Sequence, residues 1–202
     1  MAVARTSELE AINTMLGVIG ESPINDLSAV NQTTDVILAK DILTEVSREV
    51  QSQGWYFNCE KDVKITPTAD NEILIPANAA RIDVEAINAG SKEYVQRGDK
   101  LYNKTDHTFT ISNELKCFVI YMLDWTLLPQ AARQYIMIRA ARKLQDRAVG
   151  STKHHQFNQI DEAQALAMLR ADEASVGDHS IFNNYDVGRV IDRGNVVNRI
   201  TT

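Results

Sequence analysis

Cysteine and basic residues are both scarce in this sequence, and each shortage excludes a class of protein. Two cysteines occur in 202 residues, Cys59 and Cys117, and they do not form a CxxC spacing. This pattern predicts free thiols in a reducing compartment rather than a disulfide framework. With 21 basic against 27 acidic residues, the formal net charge is −6. That balance argues against tight nucleic-acid binding, which needs clustered Lys and Arg, but DNA can still pass nearby without sticking.

Long apolar runs are also missing. No stretch approaches the roughly 18 apolar residues that a membrane-spanning helix needs. The N-terminal sequence MAVARTSELE lacks the apolar core of a secretory signal. We therefore expect a protein that is made in a cytoplasm and stays soluble there. Apolar residues make up 44% of the chain, and its length suits one domain or two small ones.

The common short catalytic and phosphate-binding motifs are absent as well: there is no P-loop, GxGxxG, GxSxG or HExxH sequence. His154 and His155 are adjacent, and neighbouring positions on a helix point about 100° apart, so the pair suits a solvated helix start better than a metal site. His107 and His179 have no nearby residues that would complete a ligand set. We expect no metal and no cofactor.

Four segments show helical periodicity. The first begins with Ser7 and Glu10, which form an S-x-x-E capping box, and its apolar residues recur at helical spacing until Gly20. Gly54 suits the end of the second helix, and Pro129 suits the first turn of the third. The predicted helices span 7–19, about 34–53, about 129–149 and about 152–175.

Between the second and third helices the apolar period changes from 3.6 to 2, which predicts strands. The stretch 101–111 contains the turn sequence NKTD and reads as a hairpin, and the apolar run 117–123 suits a strand buried on both faces. This order predicts an α+β fold, a four-helix bundle with an antiparallel β domain inserted between helices two and three. The expected parts are 1–58 and 127–175 for the bundle, 59–126 for the β domain and 176–202 for an extended C-terminal tail.

Aromatic residues are few, and three of them stand together in GWYFN (54–58). A stacking platform for nucleic acid usually lies on strands within a basic groove. This trio instead follows a helix and precedes a mixed-charge sequence. In an extended segment, Trp55 and Phe57 would point to one side and lock the end of the second helix onto the core. Gly54, Trp55 and Phe57 are therefore predicted to form a structural joint.

The last two helices carry candidate subunit contacts. The third helix has a basic side that is either solvated, paired with acids of the fourth helix, in contact with another subunit or in contact with DNA. The fourth helix has an alanine-rich stripe that permits close helix approach, formed by Phe157, Ile160, Ala163, Ala167, Ala171 and Ala174. One subunit needs a single apolar face of this helix for its core, which leaves the other for a partner. The candidate interface residues are Arg139, Arg142, Lys143, Arg147, Asp161, Glu162, Leu166 and Leu169.

Loose pairs of carboxylates are the one hint of catalysis. Glycoside hydrolysis needs two carboxyl groups at a defined separation across a sugar. Asp83 and Glu85 fall on one face of a predicted strand, and Asp124 stands at the end of another. With 27 acidic residues, such pairs also arise by chance on a solvated sheet face.

Three stretches, in order along the chain, resemble the tail tubular protein A family, the adaptors of short-tailed bacteriophages. They are LEAINTMLGVIGESPIN (9–25), EVQSQGWYFN (49–58) and RAARKLQDRAVGS (139–151). The resemblance implies a helical bundle with a β domain, a ring of identical subunits (commonly twelve) and a place in the virion tail. Its implied partners are the portal protein, the nozzle protein (tail tubular protein B), the tail fibre protein and genomic DNA in the lumen.

Three functions fit these features to different degrees. A structural adaptor between head and tail needs no cofactor and no catalytic residue. A hydrolase of polysaccharide or peptidoglycan would use the carboxylates named above. A sequence-specific DNA-binding regulator conflicts with the net charge, and no helix-turn-helix pattern stands out.

Overall fold

The computed structural model describes residues 4–28, 33–84, 92–148, 150 and 152–176, with the side chains of the last helix described from 159 onward. Within these residues the chain forms four α-helices and five strands, so the predicted α+β class is confirmed. The domain boundaries stay a prediction, and the predicted tail lies outside the described residues beyond Val176. The helices are α1 (Glu8–Ile19), α2 (Thr34–Gln51), α3 (Gln130–Ala148) and α4 (Thr152–Val176), and the strands are β1 (Cys59–Ile65), β2 (Ala79–Val84), β3 (Tyr94–Arg97), β4 (Lys100–Asn103) and β5 (Leu115–Tyr121).

The helices begin and end close to the positions that their sequence signals predict. At the start of α1, the Glu10 amide donates to Ser7 Oγ (3.2 Å) and the Ser7 amide donates to Glu10 Oε2 (2.7 Å), which completes the predicted capping box. Gly20 ends α1 in the left-handed conformation, with φ +85°. No helix of the described residues is both long and apolar enough to cross a membrane.

The strands form two antiparallel sheets. In the larger one β5 is central, with the order β1-β5-β2, and β3 pairs with β4 in a separate hairpin. The hairpin predicted over 101–111 is present at one residue pair, since Asn103 and Thr108 form an isolated antiparallel bridge across the turn. The longer hairpin is the one between β3 and β4, which is closed by a turn at Gly98 with φ +65°. After Asn103 the chain makes a side-chain-supported turn, in which Asn103 Oδ1 accepts from the amides of Thr105 and Asp106.

The apolar run at 117–123 does contain the central strand, but its burial differs from the prediction. Leu115, Cys117 and Val119 are buried in the core of the sheet. The alternate positions are mixed: Lys116 and Phe118 are half-buried, whereas Ile120 is 1% exposed. The opposite face of the sheet is thus partly open to solvent, as in many antiparallel sheets.

Two hydrophobic clusters form the core. One draws on all four helices and includes Trp55 and Leu128, and the other lies within the sheets. The chain passes from helix to sheet between α2 and β1 and returns between β5 and α3. These two crossings therefore set how the helices are held to the sheet.

The N-terminal residues are tied to the second crossing by a buried arginine. Arg133 of α3 is 5% exposed, and its guanidinium donates to three carbonyl oxygens: Leu128 O (2.9 Å), Thr6 O (2.8 Å) and Thr126 O (2.7 Å). Burial lowers the pKa of Arg133, with a further contribution from the positive charge of Arg5. Nothing in the periodicity of α3 distinguished this arginine from its basic neighbours.

Candidate functional site

Gly54 stands at the first crossing in a conformation that favours glycine. Its φ is +79°, and a Cβ atom at this position would lie 2.7 Å from Cδ1 of Ile120 on β5 and 3.3 Å from Cys59 Sγ. The chain therefore passes β5 at a distance that only a residue without a side chain permits.

The aromatic residues that follow divide between core and solvent. The chain forms a short 3-10 helix at Tyr56–Asn58 rather than the extended segment predicted. Trp55 is buried, and its indole Nε1 donates to Val50 O at 2.7 Å. Phe57 packs against the helical core, whereas Tyr56 is 52% exposed. Trp55 and Phe57 thus face the helices, and their role as a joint with Gly54 stays a prediction.

Two buried amides, which the sequence pattern did not predict, connect the end of α2 to the end of β5 and the residues that follow it. Asn58 Nδ2 donates to Gln51 O and to Tyr121 O, both at 2.8 Å, and Asn58 Oδ1 accepts from the Trp55 amide at 2.8 Å. The Gln51 side chain bonds in both directions with the backbone of Leu123, accepting from its amide at 2.7 Å and donating to its carbonyl at 3.1 Å. The available signal was a single asparagine directly after three aromatic residues, at the point where a strand begins.

Replacing Gly54 with alanine should lower the free energy of unfolding by about 2 kcal/mol, since a left-handed φ costs an alanine about 1 kcal/mol and crowding against packed Ile120 adds about as much again. Urea denaturation measures the change. Gly98→Ala is the matched control, because Gly98 also has a positive φ but no atom of the described residues lies within 4 Å of its Cβ position. Equal losses in the two variants would contradict a close approach at Gly54.

The basic side of α3 lies between α2 and α4 and is paired inside the chain. Lys143 Nζ lies 2.9 Å from Glu45 Oε1 and 2.6 Å from Glu49 Oε1. Arg142 hydrogen-bonds Glu162 of α4. The other ion pairs join Arg139 to Glu49 and Glu162, Arg142 to Asp146, and Arg147 to Glu45. The acids that neutralise this side therefore come mainly from α2, with Glu162 as the contribution of α4 that the sequence predicted.

The two leucines of α4 in the predicted interface pack against the helical core. Leu169 is 1% exposed in the helical core beside Ala165, and Leu166 is half-buried against the same core. Burial in the core leaves Leu169 little surface for another subunit, and its assignment to a subunit interface stays a prediction. The described members of the alanine-rich stripe are exposed, and Ile160 is 56% exposed. Asp161 is also exposed.

Acid should weaken the contact between α2 and α3. Hydrogen bonds from Lys143, and for Glu45 also from Arg147, hold the pKa values of Glu45 and Glu49 below the ordinary 4.5. A carboxylate whose pKa is lower in the folded state than in the unfolded state stabilises the fold at pH values above its unfolded pKa. This contribution is lost as the pH falls through its folded pKa. The free energy of unfolding should therefore fall as the pH drops below 4.5, and less steeply in Lys143→Met. Lys61→Met is the control, because Lys61 is an exposed residue of β1. Its free energy of unfolding should fall with pH as steeply as that of the wild type.

The two candidate carboxylates that the structure describes, Asp83 and Asp124, belong to separate parts of the chain, β2 and the segment after β5. Asp83 of β2 lies opposite Phe118 of β5. The last hydrogen bond between these two segments runs from the Met122 amide to Asn78 O. Phe118 and Met122 are four residues apart, roughly 13 Å along a strand, and Asp124 lies further on. Glycosidase carboxyl groups stand about 5–9.5 Å apart. Glu85 lies outside the described residues.

Asp124 instead borders a cleft of about 320 Å³ between α1, α2 and the chain that follows β5. Glu8, Arg48 and Trp125 also line this cleft. Among the described residues, no group of three His, Cys, Asp or Glu side chains is placed to hold a metal ion. The side chains of His154 and His155, and all of His179, lie outside the described residues.

Comparison with known proteins shows the family to which the chain belongs. A model of the tail tubular protein family matches residues 9–179, from α1 to just beyond α4. Over 130 residues the chain is 31% identical to Tail tubular protein A of Klebsiella phage KP34, a stretch that covers 64% of this chain and 66% of that relative, just under two thirds of its length. The resemblance inferred from the sequence is confirmed. The chain belongs to the tail tubular protein family and is a structural protein of a bacteriophage tail.

Proposed function

We propose that this protein is a head-to-tail adaptor, in which identical subunits form a closed ring between the portal protein and the nozzle protein, tail tubular protein B. The genome leaves through the lumen of the ring, and the tail fibre protein attaches near the junction with the nozzle. Membership of the tail tubular protein family supports a structural role in the tail. The ring itself is supported by an apolar surface of α4 that is exposed within the part of the chain that the structure describes.

That surface, the α4 outer face, is the observation that carries the proposal. It consists of Ile160, Ala163, Ala167, Ala171 and Ala174, all exposed. Helix positions advance by about 100° per residue, so these side chains lie on one side of α4, opposite the buried Ala165 and Leu169. None of them is charged, although α4 carries charged residues elsewhere. Alanine also lets the backbone of a neighbouring helix approach closely.

A closed ring needs two different faces on each subunit, because each copy contacts the next head to tail. The α4 outer face supplies one of them. Most of the basic side of α3 is turned inward, but the Arg147 side chain is 48% exposed. The complementary face is then the surface around Arg147. In the ring, Asp161 of one subunit, which lies beside its α4 outer face, is opposite Arg147 of the next subunit.

The charge of the chain suits a conduit for DNA. At a net charge of −6, the subunit attracts phosphate weakly, and weak attraction avoids slowing a moving genome. A lumen lined mostly by Lys and Arg would contradict this part of the proposal.

Light scattering on the purified protein, alone and mixed with its portal protein, tests the adaptor role. We expect a ring, or a jump to a large complex when the portal is added. A double substitution on the α4 outer face, Ala167→Glu with Ala171→Glu, should weaken this assembly about tenfold or more, because each new carboxylate would be desolvated without a partner.

Gln159→Glu is the matched control, since it adds a carboxylate at an exposed position on the flank of the same helix. Circular dichroism should show that all variants keep the wild-type helix content. A protein that stays monomeric with and without the portal would refute the adaptor role. Assembly that survives the double substitution would instead place the ring contact elsewhere.

A further inference from the structure

An open apolar notch lies beside the 3-10 helix, at the C-terminal end of α4. It has a volume of about 80 Å³ and is lined mainly by Tyr56, Phe57, Pro129, Leu169 and Val176. An engineered cavity of about 150 Å³ holds a benzene molecule. The notch therefore suits one aliphatic side chain or the edge of an aromatic ring.

The walls of the notch are fixed relative to each other. Leu169 belongs to the helical core, and Glu173 Oε1 accepts a hydrogen bond from the Tyr56 amide at 3.0 Å, which ties α4 to the 3-10 helix. Nevertheless, Tyr56 is 52% exposed and Val176 is 57% exposed. Covering such side chains is favourable because it removes apolar surface from water.

The chain itself supplies a segment at this point. Val176 lines the notch and is followed by 26 further residues. The next residue is Gly177, the residue type that lets a chain reverse direction after a helix. Ile181 and Phe182 come five and six positions after Val176, within reach of the notch because five extended residues span up to about 17 Å.

The charge of the segment permits this contact. Residues 177–202 contain three aspartates and three arginines, so they carry no formal net charge with histidine neutral. Glu173 at the notch therefore does not repel the segment as a whole. A short tether also raises the effective concentration of an attached group to the millimolar range, which favours the same chain over another copy as its source.

We propose that the C-terminal segment of the same chain folds back onto the notch, with one side chain of the Ile181–Phe182 pair in the notch and the other against the exposed surfaces of Tyr56 and Val176. The segment then covers the helix-to-sheet crossing and fixes the end of α4. This contact forms within one subunit and does not depend on the ring.

Hydrogen exchange of the full chain, read by mass spectrometry, tests the contact. Removing the pair with Ile181→Ser and Phe182→Ser should speed amide exchange in 54–58 and 169–176 roughly tenfold, the effect expected when a local apolar contact is lost. The control is Val196→Ser with Val197→Ser, which removes as many apolar side chains from the same segment, further from Val176. The control should exchange like the wild type.

Val176→Ser changes the other partner of the contact. It should speed exchange in 54–58 in the wild-type chain but add little when Ile181 and Phe182 are already replaced. Unchanged exchange in the Ile181–Phe182 variant, or an equal change in the control, would overturn the proposal. Protection that disappears on dilution would also overturn it, because the segment would then come from another copy.

Discussion

Replacing Asn58 with aspartate should lower the free energy of unfolding by about 4 kcal/mol at neutral pH, the range found for a buried charge left without a partner. The substitution barely changes the shape of the side chain. It replaces the Nδ2 donor, which bonds to Gln51 O and Tyr121 O, by an oxygen facing two carbonyl oxygens. Because Asn58 is 2% exposed, water cannot compensate for the lost donors. Urea denaturation measures the loss.

The loss should shrink as the solution is made acidic. Burial next to two carbonyl oxygens raises the folded pKa of the new carboxyl group above its unfolded value. The folded state then binds the proton more tightly, so lowering the pH towards the unfolded pKa recovers part of the stability. Asn58→Ala removes the same donors without a charge and should show no such recovery.

Asn113→Asp is the control, because it makes the same change at an exposed position before β5. It should alter the free energy of unfolding by less than about 0.5 kcal/mol. If Asn58→Asp cost no more than this control, or if its cost did not depend on pH, the asparagine would not be the connection between helix and sheet.

Local signals in the sequence predicted the helices well because each depends on a few neighbouring residues. The capping box of Ser7 and Glu10 satisfies amide groups within one turn. Gly20 adopts the left-handed conformation that ends α1, which a residue with a Cβ atom adopts only at a cost, and it stands where the first helix was expected to end. None of these signals requires knowledge of a distant part of the chain.

The orientation of α4 could not be predicted in the same way. Helical periodicity identifies an alanine-rich side and a leucine-containing side but does not say which of them meets α3. The choice is made by tertiary contacts: Leu169 fills the core, and Glu162 on the same side reaches Arg142 and Arg139. Likewise, Gly98 and the NKTD sequence are both turn signals and both close an antiparallel pair, but only the turn at Gly98 joins two full strands.

The amides of Gln51 and Asn58 were missed for a related reason. Each would be unremarkable on a surface, and their importance comes from carbonyl and amide groups at Leu123 and Tyr121, more than sixty residues away. Buried polar groups of this kind fix one arrangement of the backbone, since an unpaired group would be costly. The sequence therefore predicts that a crossing exists, and the long-range bonds determine its geometry.

Arg133→Leu should also lower the free energy of unfolding by about 4 kcal/mol. The three lost hydrogen bonds to a charged group contribute about 1.5–3 kcal/mol each, and the apolar surface that leucine buries offsets part of that loss. Leucine fills much of the space of the arginine stem but offers no donor to Leu128 O, Thr6 O or Thr126 O. Thr6 O keeps its bond from Trp125 Nε1 (3.0 Å), which limits the loss there. In Arg133→Leu, amide hydrogen exchange should therefore speed up less in the residues before α1 than in residues 126–130.

Arg133→Lys separates charge from geometry. Lysine keeps the positive charge but presents one ammonium group instead of a planar fork, so it cannot reach three carbonyl oxygens at once. We expect it to recover roughly half of the loss. Arg170→Leu, at an exposed position on α4, should leave the free energy of unfolding within about 0.5 kcal/mol of the wild type. Full recovery by lysine would show that the charge alone matters, and it would refute the three-carbonyl clamp as the device that ties the N-terminal residues to α3.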